Sequence, residues 1–559
     1  MTTRSSSARR NVAQPSQSSV ASRGAERRRA PNLRVVDWWR DAVLYQVYPR
    51  SFADTNGDGV GDLRGITEHL DYVAGLGVDG VWLSPVHPSP NADWGYDVAD
   101  YEGVHADLGT LEDLDALLAE ADRLGLRVLL DLVPNHTSTA HPWFADSRSG
   151  RDAVHRDWYV WADPQPDGGA PNNWESSFLG PAWRYDESTA QSYLHHFLDE
   201  QADLNWWSAD VRDEFDRILR FWFDRGVAGF RIDVCHMIVK DRLLRDNPAA
   251  TGEEHWMDRL GGQRSEYNAC RPEVHDVLRR WRRVGDAYDP PRVFVGETNI
   301  FDLAKVASFY GADDELQLAF NFPFLFAPFE ADALRDVVEA VEATLPSRAT
   351  PCWTMSSHDV PRYVTRWCEN DPHRARAALV LLLSLRGTAV LYYGDELAMP
   401  DTEVRPEELL DPVSRKFHPL LNRDAARTPM PWRPQRGGGF TDGSVTPWLP
   451  IGDLAAATVA DEEADAGSPL HLTRGLLALR RELADYRDGA YATVAAPPGA
   501  WAWRRGERVL VAVHLADGEV TLPDVVGRIR VGTNRGRDGT PVSGPLRLGP
   551  WEAVVIELG

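Results

Sequence analysis

Apolar and polar positions follow two periods along this chain. Short β-rich apolar runs recur as VLYQVY from Val43, GVWLSP from Gly80, RVLLDLVP from Arg127, GFRIDV from Gly229, RVFVGE from Arg292, LQLAF from Leu316, PCWTMS from Pro351 and AVLYYG from Ala389. Between them, stretches such as Leu111 to Leu124, Val211 to Phe223 and Arg374 to Leu385 place apolar residues three and four apart, the spacing of an amphipathic helix. Strands that alternate with helices predict a parallel sheet. Eight such units predict an α/β fold, a (β/α)8 TIM barrel, with its active site where the strands end.

The alternation breaks in two places. After the third strand, the stretch from His136 to Asp199 is rich in Pro, Gly, Asn and Trp and predicts an inserted loop domain over the site. After Tyr486 the pattern shortens to strands and turns (WAWRR, VLVAVHL, EAVVIEL), which predicts a C-terminal antiparallel β-sandwich. The expected division is a disordered N-terminal tail over 1–36, barrel over 37–135, insertion over 136–199, barrel again over 200–485 and β-domain over 486–559. The tail is rich in Ser and Arg, with Arg27, Arg28 and Arg29 in a row, and has no apolar core of a secretory signal.

Composition narrows the partners. A net charge of −24 repels a phosphate backbone and an anionic membrane surface, so no nucleic acid and no membrane is expected. No apolar run is long enough to span a bilayer. A small neutral substrate fits, and 21 Trp and 16 Tyr supply aromatic faces suited to sugar rings, although most such rings fill cores. The four cysteines (Cys235, Cys270, Cys352, Cys368) are too sparse for a disulfide framework and lack zinc spacing, so buried thiols and a cytoplasmic location are expected. Oligomeric state is left open.

Three acids stand at or just past predicted strand ends: Asp233 in GFRIDV, Glu297 in VFVGET and Asp359 in SSHDVPR. A carboxylate there is costly to desolvate unless it is paired or used, so the three together point to chemistry, whereas any one alone could be an ion-pair partner. Arg231 precedes Asp233 by two residues and shares its strand face, where it can keep that carboxylate ionised. A separate loop spaces Asp54, Asn56, Asp58, the Val60 carbonyl and Asp62 like the first ligands of an EF-hand, with Gly59 at the turn. Gly65 stands where an EF-hand carries its last Glu, and a plain polar turn is the alternative. Three aspartates exclude a phosphate cradle.

The motifs AVLYQVYPRSF, DTNGDGVGDL, GYDVADY, DLVPNH, QADLNW, GFRIDV, GET, SHD and ARTPMPW occur in this order, and with them the chain resembles the α-amylase superfamily, glycoside hydrolase family 13, in its α-glucosidase and oligo-1,6-glucosidase group. The resemblance spans roughly residues 37 to 559. It implies a (β/α)8 barrel with a loop domain after the third strand and a C-terminal β-domain. It further implies that Asp233 is the nucleophile, Glu297 the general acid/base and Asp359 the third acid, which grips ring hydroxyls. His136 and His358 resemble the family's sugar-binding imidazoles, and Asp97 and Arg427 a pair that clamps the nonreducing glucose; Asp131 is instead expected to orient its neighbours by hydrogen bonding. Similar members bind Ca2+ at the Asp54 to Asp62 loop; no cofactor is implied for catalysis.

The implied activity is that of a retaining, exo-acting α-glucosidase on small α-glucosides. QADLNW resembles the QPDLNW of the oligo-1,6-glucosidase group, with Ala202 in place of Pro, and Val234 follows the nucleophile, so α-1,6 links are favoured over α-1,4. The VCHM run after Asp233 and Ser357 before His358 depart from the commonest pattern. The alternatives are a transglucosylase or isomerase acting on maltose, sucrose or trehalose-type disaccharides and, more distantly, a non-catalytic barrel that serves as a binding subunit. No GxGxxG, P-loop or GxSxG motif supports another enzyme class.

Overall fold

The computed structural model describes residues 37–559, apart from 253, 256–258, 260, 418–421 and 456. The expected tail over 1–36 lies outside the described residues. Eight parallel strands run Val43–Val47, Gly80–Leu83, Arg127–Leu132, Gly229–Ile232, Val293–Gly296, Leu318–Ala319, Cys352–Thr354 and Thr388–Tyr392, one in each predicted run. They neighbour one another in chain order. The eighth pairs with the first, Val43 opposite Ala389, and a parallel bridge from Phe320 to Cys352 joins the sixth to the seventh. The sheet therefore closes into a barrel.

Strand alternation grades the barrel interior from apolar to polar. Leu44, Leu129, Val293 and Val390 belong to one apolar cluster, capped by Trp39. Two residues further along the same faces stand Gln46 and Asp131, both buried. Arg231 pairs in register with Asp131 on the neighbouring strand. The charged residues thus occupy the C-terminal end of the barrel, over an apolar plug. Helices Leu111–Leu124, Ala209–Asp224 and Pro372–Ser384 cover the outside where the periodicity predicts them. The first is fixed by a Thr110 capping box and stopped at Gly125, whose φ of 77° suits a residue without Cβ.

The insertion carries a small sheet of Trp161–Ala162, Trp183–Asp186 and Gln191–Leu194. A two-stranded ladder pairs His136–Ser138 with Gln201–Asp203, so pairing continues past the expected boundary at Asp199. At the C-terminus six antiparallel strands form one continuous sheet. They form the expected C-terminal antiparallel β-domain; the long Val520–Gly532 strand has register shifts against both neighbours, and Leu510, Ile529, Leu546 and Ile556 belong to one apolar core. Trp501, Trp503 and Val511 on the sheet's other face join the main core. Among the described residues, no helix is long and apolar enough to cross a membrane.

Candidate active site

The site is organised around one guanidinium. Arg231 Nη1 lies 2.8 Å from both Asp131 Oδ1 and Asp233 Oδ1, while Nη2 lies 2.7 Å from Glu297 Oε2. Ladder bonds fix the two expected catalytic acids just past their strands: the Asp233 N–H donates to Leu132 O and the Glu297 N–H to Ile232 O, each at 2.9 Å. Val234 then adopts φ 35°, ψ 45°, a left-handed turn that a β-branched residue rarely makes, and its N–H donates to Glu297 Oε2 at 2.8 Å. The strained turn after one acid thereby orients the other.

Burial, set against the Arg231 contact and reinforced by Glu297, Asp131 and Asp359, raises the Asp233 carboxyl well above its usual range. Asp131 is pushed up to about 6 by burial against the pull of Arg231. Tyr96 Oη donates to Asp131 at 3.0 Å and bonds His358 Nε2 at 2.6 Å, and Gln46 meets His358 Nδ1 at 2.9 Å. Burial holds the His358 ring down to about 3, so it is neutral.

Asp359 follows the seventh strand. Its Oδ1 accepts from Arg427 Nη2 at 3.0 Å and Arg423 Nη1 at 3.3 Å, and its Oδ2 lies 3.0 Å from His358 Nε2. Burial opposes ionisation there, but His358, Arg423 and Arg427 outweigh it and keep the carboxylate ionised far below its usual range. A cavity lined by Trp82, Arg231, Glu297, Phe320, His358 and Asp359 opens here. Seven residues singled out by sequence therefore meet: Asp131, Arg231, Asp233, Glu297, His358, Asp359 and Arg427.

The expected pairing of Asp97 with Arg427 is corrected. Asp97 is fully buried and closes its own loop, accepting from Ser89 Oγ at 2.6 Å and from the Ala92 and Asp93 N–H groups at 3.0 Å. Arg427 is also fully buried, behind Asp359, with its Nε donating to His358 O at 2.7 Å. The carboxylate and guanidinium that do meet are Asp93 and Arg423, at 2.7 Å. Sequence reasoning missed both, because Asp93 lies two residues before GYDVADY and Arg423 three residues before ARTPMPW, just outside the motifs it used.

His136 joins this part of the site through Gln201, whose Nε2 lies 3.1 Å from both His136 Nε2 and Asp93 Oδ2. Burial lowers the His136 ring to about 4. Beneath it Lys240 Nζ lies 2.8 Å from Asp203, which also binds His196 at 2.6 Å, a buried ion pair that fastens the insertion to the barrel. Phe178 of the insertion covers Arg423 at 5.6 Å and packs edge-on against Phe197.

The Asp54 to Asp62 loop divides. Asp54 accepts from the Gly57 and Gly59 N–H groups, Asn56 from Asp58 N–H and Asp58 from Val60 N–H, so the chain winds around these oxygens. Asp62 instead caps the Leu63–Glu68 helix, accepting from Gly65 N–H at 2.7 Å and from Thr55. Among the described residues, no group of three or more His, Cys, Asp or Glu side chains is gathered to hold a metal.

Comparison with known proteins places this arrangement. Residues 46–489 match the family described as alpha amylase, catalytic domain. The chain belongs to the α-amylase family. Within it the chain is similar to a Rhizobium meliloti (strain 1021) protein named "Probable alpha-glucosidase", at 46% identity over 80% of this chain and 83% of that one. It is also similar to the oligo-1,6-glucosidase of Heyndrickxia coagulans, at 35% identity over 94% and 100% of the two chains. Among solved structures, the alpha-glucosyl transfer enzyme XgtA is similar at 41% identity and a TM-score of 0.87, covering 93% of this chain and 99% of that one. As a family member with α-glucosidase relatives, the protein is a glycoside hydrolase.

Proposed function

We propose that the protein is a retaining, exo-acting α-glucosidase that cleaves short α-glucosides from the nonreducing end. The observation that carries this reading is Arg231 bonded at once to Asp233 and Glu297. Two carboxylates on adjacent nitrogens of one guanidinium favour the spacing of about 5 Å used for retention over the roughly 6.5–9.5 Å that leaves room for an inverting water. Asp233 attacks the anomeric carbon as the glycosidic bond breaks, and Glu297 gives its proton to the departing oxygen. The resulting β-glucosyl ester is opened by water, which returns a proton to Glu297 and releases α-glucose. Asp359, ionised and held by two arginines, stabilises the positive charge that develops on the ring. Asp93 and Arg423 close the glucose end, which supports exo action.

Resemblance of QADLNW and Val234 to the oligo-1,6-glucosidase pattern supports α-1,6 links over α-1,4. A second reading, glucosyl transfer to a sugar, is favoured by the similarity to an alpha-glucosyl transfer enzyme. Isomaltose, maltose, sucrose and trehalose should be tested with product anomers followed by NMR. The hydrolase reading predicts fastest release of α-glucose from isomaltose. New disaccharide as the main product would favour transfer, and inertness to all four would reject both.

The all-oxygen donors Asp54, Asn56, Asp58 and the Val60 carbonyl fit a hard cation, and a structural Ca2+ is part of the proposal. Chelation should lower the melting temperature and added Ca2+ restore it; an unmoved transition would reject the site. The buried thiols Cys235, Cys352 and Cys368 support a reducing, cytoplasmic setting.

A further inference from the structure

We propose that Asp411 is a positioning residue for glucose binding, holding Arg423 and Arg427 so that Asp93 and Asp359 stay open to sugar hydroxyls. This rests on the α-glucosidase reading above. Asp411 is fully buried at the start of the Pro412–Phe417 helix, well beyond the last barrel strand. Its Oδ1 meets Arg423 Nη2 in a short ion pair and lies 3.5 Å from Arg427 Nη1. Its Oδ2 accepts from Arg423 Nε at 3.1 Å, Ser414 N–H at 2.7 Å and Ser414 Oγ at 2.9 Å. The Asp411 N–H donates to Asp424 Oδ2 at 3.0 Å. Both carboxylate oxygens are thus occupied by protein donors, and Asp411 acts on the sugar only through the arginines.

Charge explains what it does. Two guanidiniums face three carboxylates: Asp93, Asp359 and Asp411. Arg423 spreads its donors over all three, with Nη1 reaching Asp359 at 3.3 Å and Nη2 shared between Asp93 and Asp411. Arg427 points Nη2 at Asp359 and Nη1 towards Asp411, while its Nε is fixed on His358 O. Without the Asp411 charge, the anions left to these two cations are Asp93 and Asp359, the two a bound glucose would share. The arginines would then close on them, and hydroxyls would have to displace charge-assisted bonds before binding.

Full-length D411N should be compared with L409A, which opens the neighbouring apolar cluster of Val404, Leu409 and Leu449 but leaves the charges untouched. Both variants should melt earlier than wild type. D411N should raise KM for p-nitrophenyl α-glucoside and Ki for D-glucose by about tenfold to a hundredfold, the worth of one to two charge-assisted bonds, with kcat changed far less. L409A should leave KM and Ki within about twofold. Wild-type-like Ki in D411N, or an equal rise in L409A, would overturn the positioning role. If D411N does not fold, D411E is read in its place: a raised Ki at an unchanged melting temperature supports the role, and an unchanged Ki at a lowered one overturns it. Wild-type inertness towards the aryl glucoside would instead strike the α-glucosidase reading.

Discussion

Arg231 Nη2 lies 2.7 Å from Glu297 Oε2, and Arg231 itself is buried within the barrel mouth. A lysine at this position offers a single ammonium where the site uses both ends of a planar fork. R231K should therefore lose at least about a thousandfold in kcat/KM, measured on an aryl α-glucoside, while circular dichroism stays native. R231A should also lose stability, by about 3–5 kcal/mol, since it leaves buried carboxylates uncompensated. Activity within tenfold of wild type in R231K would remove the guanidinium from the centre of the mechanism.

Asp93 and Asp97 separate function from folding. Asp93 meets Arg423 at the end of the site proposed to take glucose, so D93N should raise KM by about tenfold or more, in keeping with the loss of a charge-assisted contact. Asp97 is held by three donors of its own loop, so D97N should act mainly on stability, lowering it by about 1–3 kcal/mol and the melting temperature with it. Steady-state kinetics beside thermal melts distinguish the two.

That contrast also marks how far the sequence could be read. Strand periodicity located all eight barrel strands, because each is a short apolar run ending in polar residues, and Asp233 and Glu297 follow their strands directly. Asp93, Arg423 and Asp411 lie in loops, where position is set by turns and distant partners and leaves no periodic trace. The motif GYDVADY drew attention to Asp97, but a Ser89–Asp97 turn consumes that carboxylate and presents Asp93 instead. The register shifts of the C-terminal sheet were likewise hidden, since they depend on pairing rather than on composition.

Glu462 gives the protein a pH-dependent stability. Burial lifts its carboxyl from about 4.5 to about 8, against the Leu470 N–H that it accepts at 2.9 Å. A raised carboxyl favours the protonated form in the folded state, so its contribution is complete below about 4.5 and is lost as pH rises through about 8. E462Q should flatten the fall in melting temperature between pH 5 and 9, scanned in steps, and be the more stable protein at the alkaline end. An identical slope in both proteins would reject this source.

Lys240 and Asp203 are a buried pair, so removing one charge should cost more than removing both. K240M should lower stability by about 3–5 kcal/mol and the K240M/D203N double variant recover part of it. Denaturant titration of the two variants reads the difference. Additive losses would show that the pair does not fasten the insertion.

The central claim is that Asp233 forms a covalent glucosyl ester while Glu297 serves the leaving group and then the water. Intact-mass spectrometry after incubation with a slow, fluorinated α-glucosyl fluoride tests it most directly. One added fluoro-sugar per chain is expected, mapped by peptide digestion to Asp233, with activity lost in step. An adduct on another residue, or full inactivation with no covalent mass change, would contradict it.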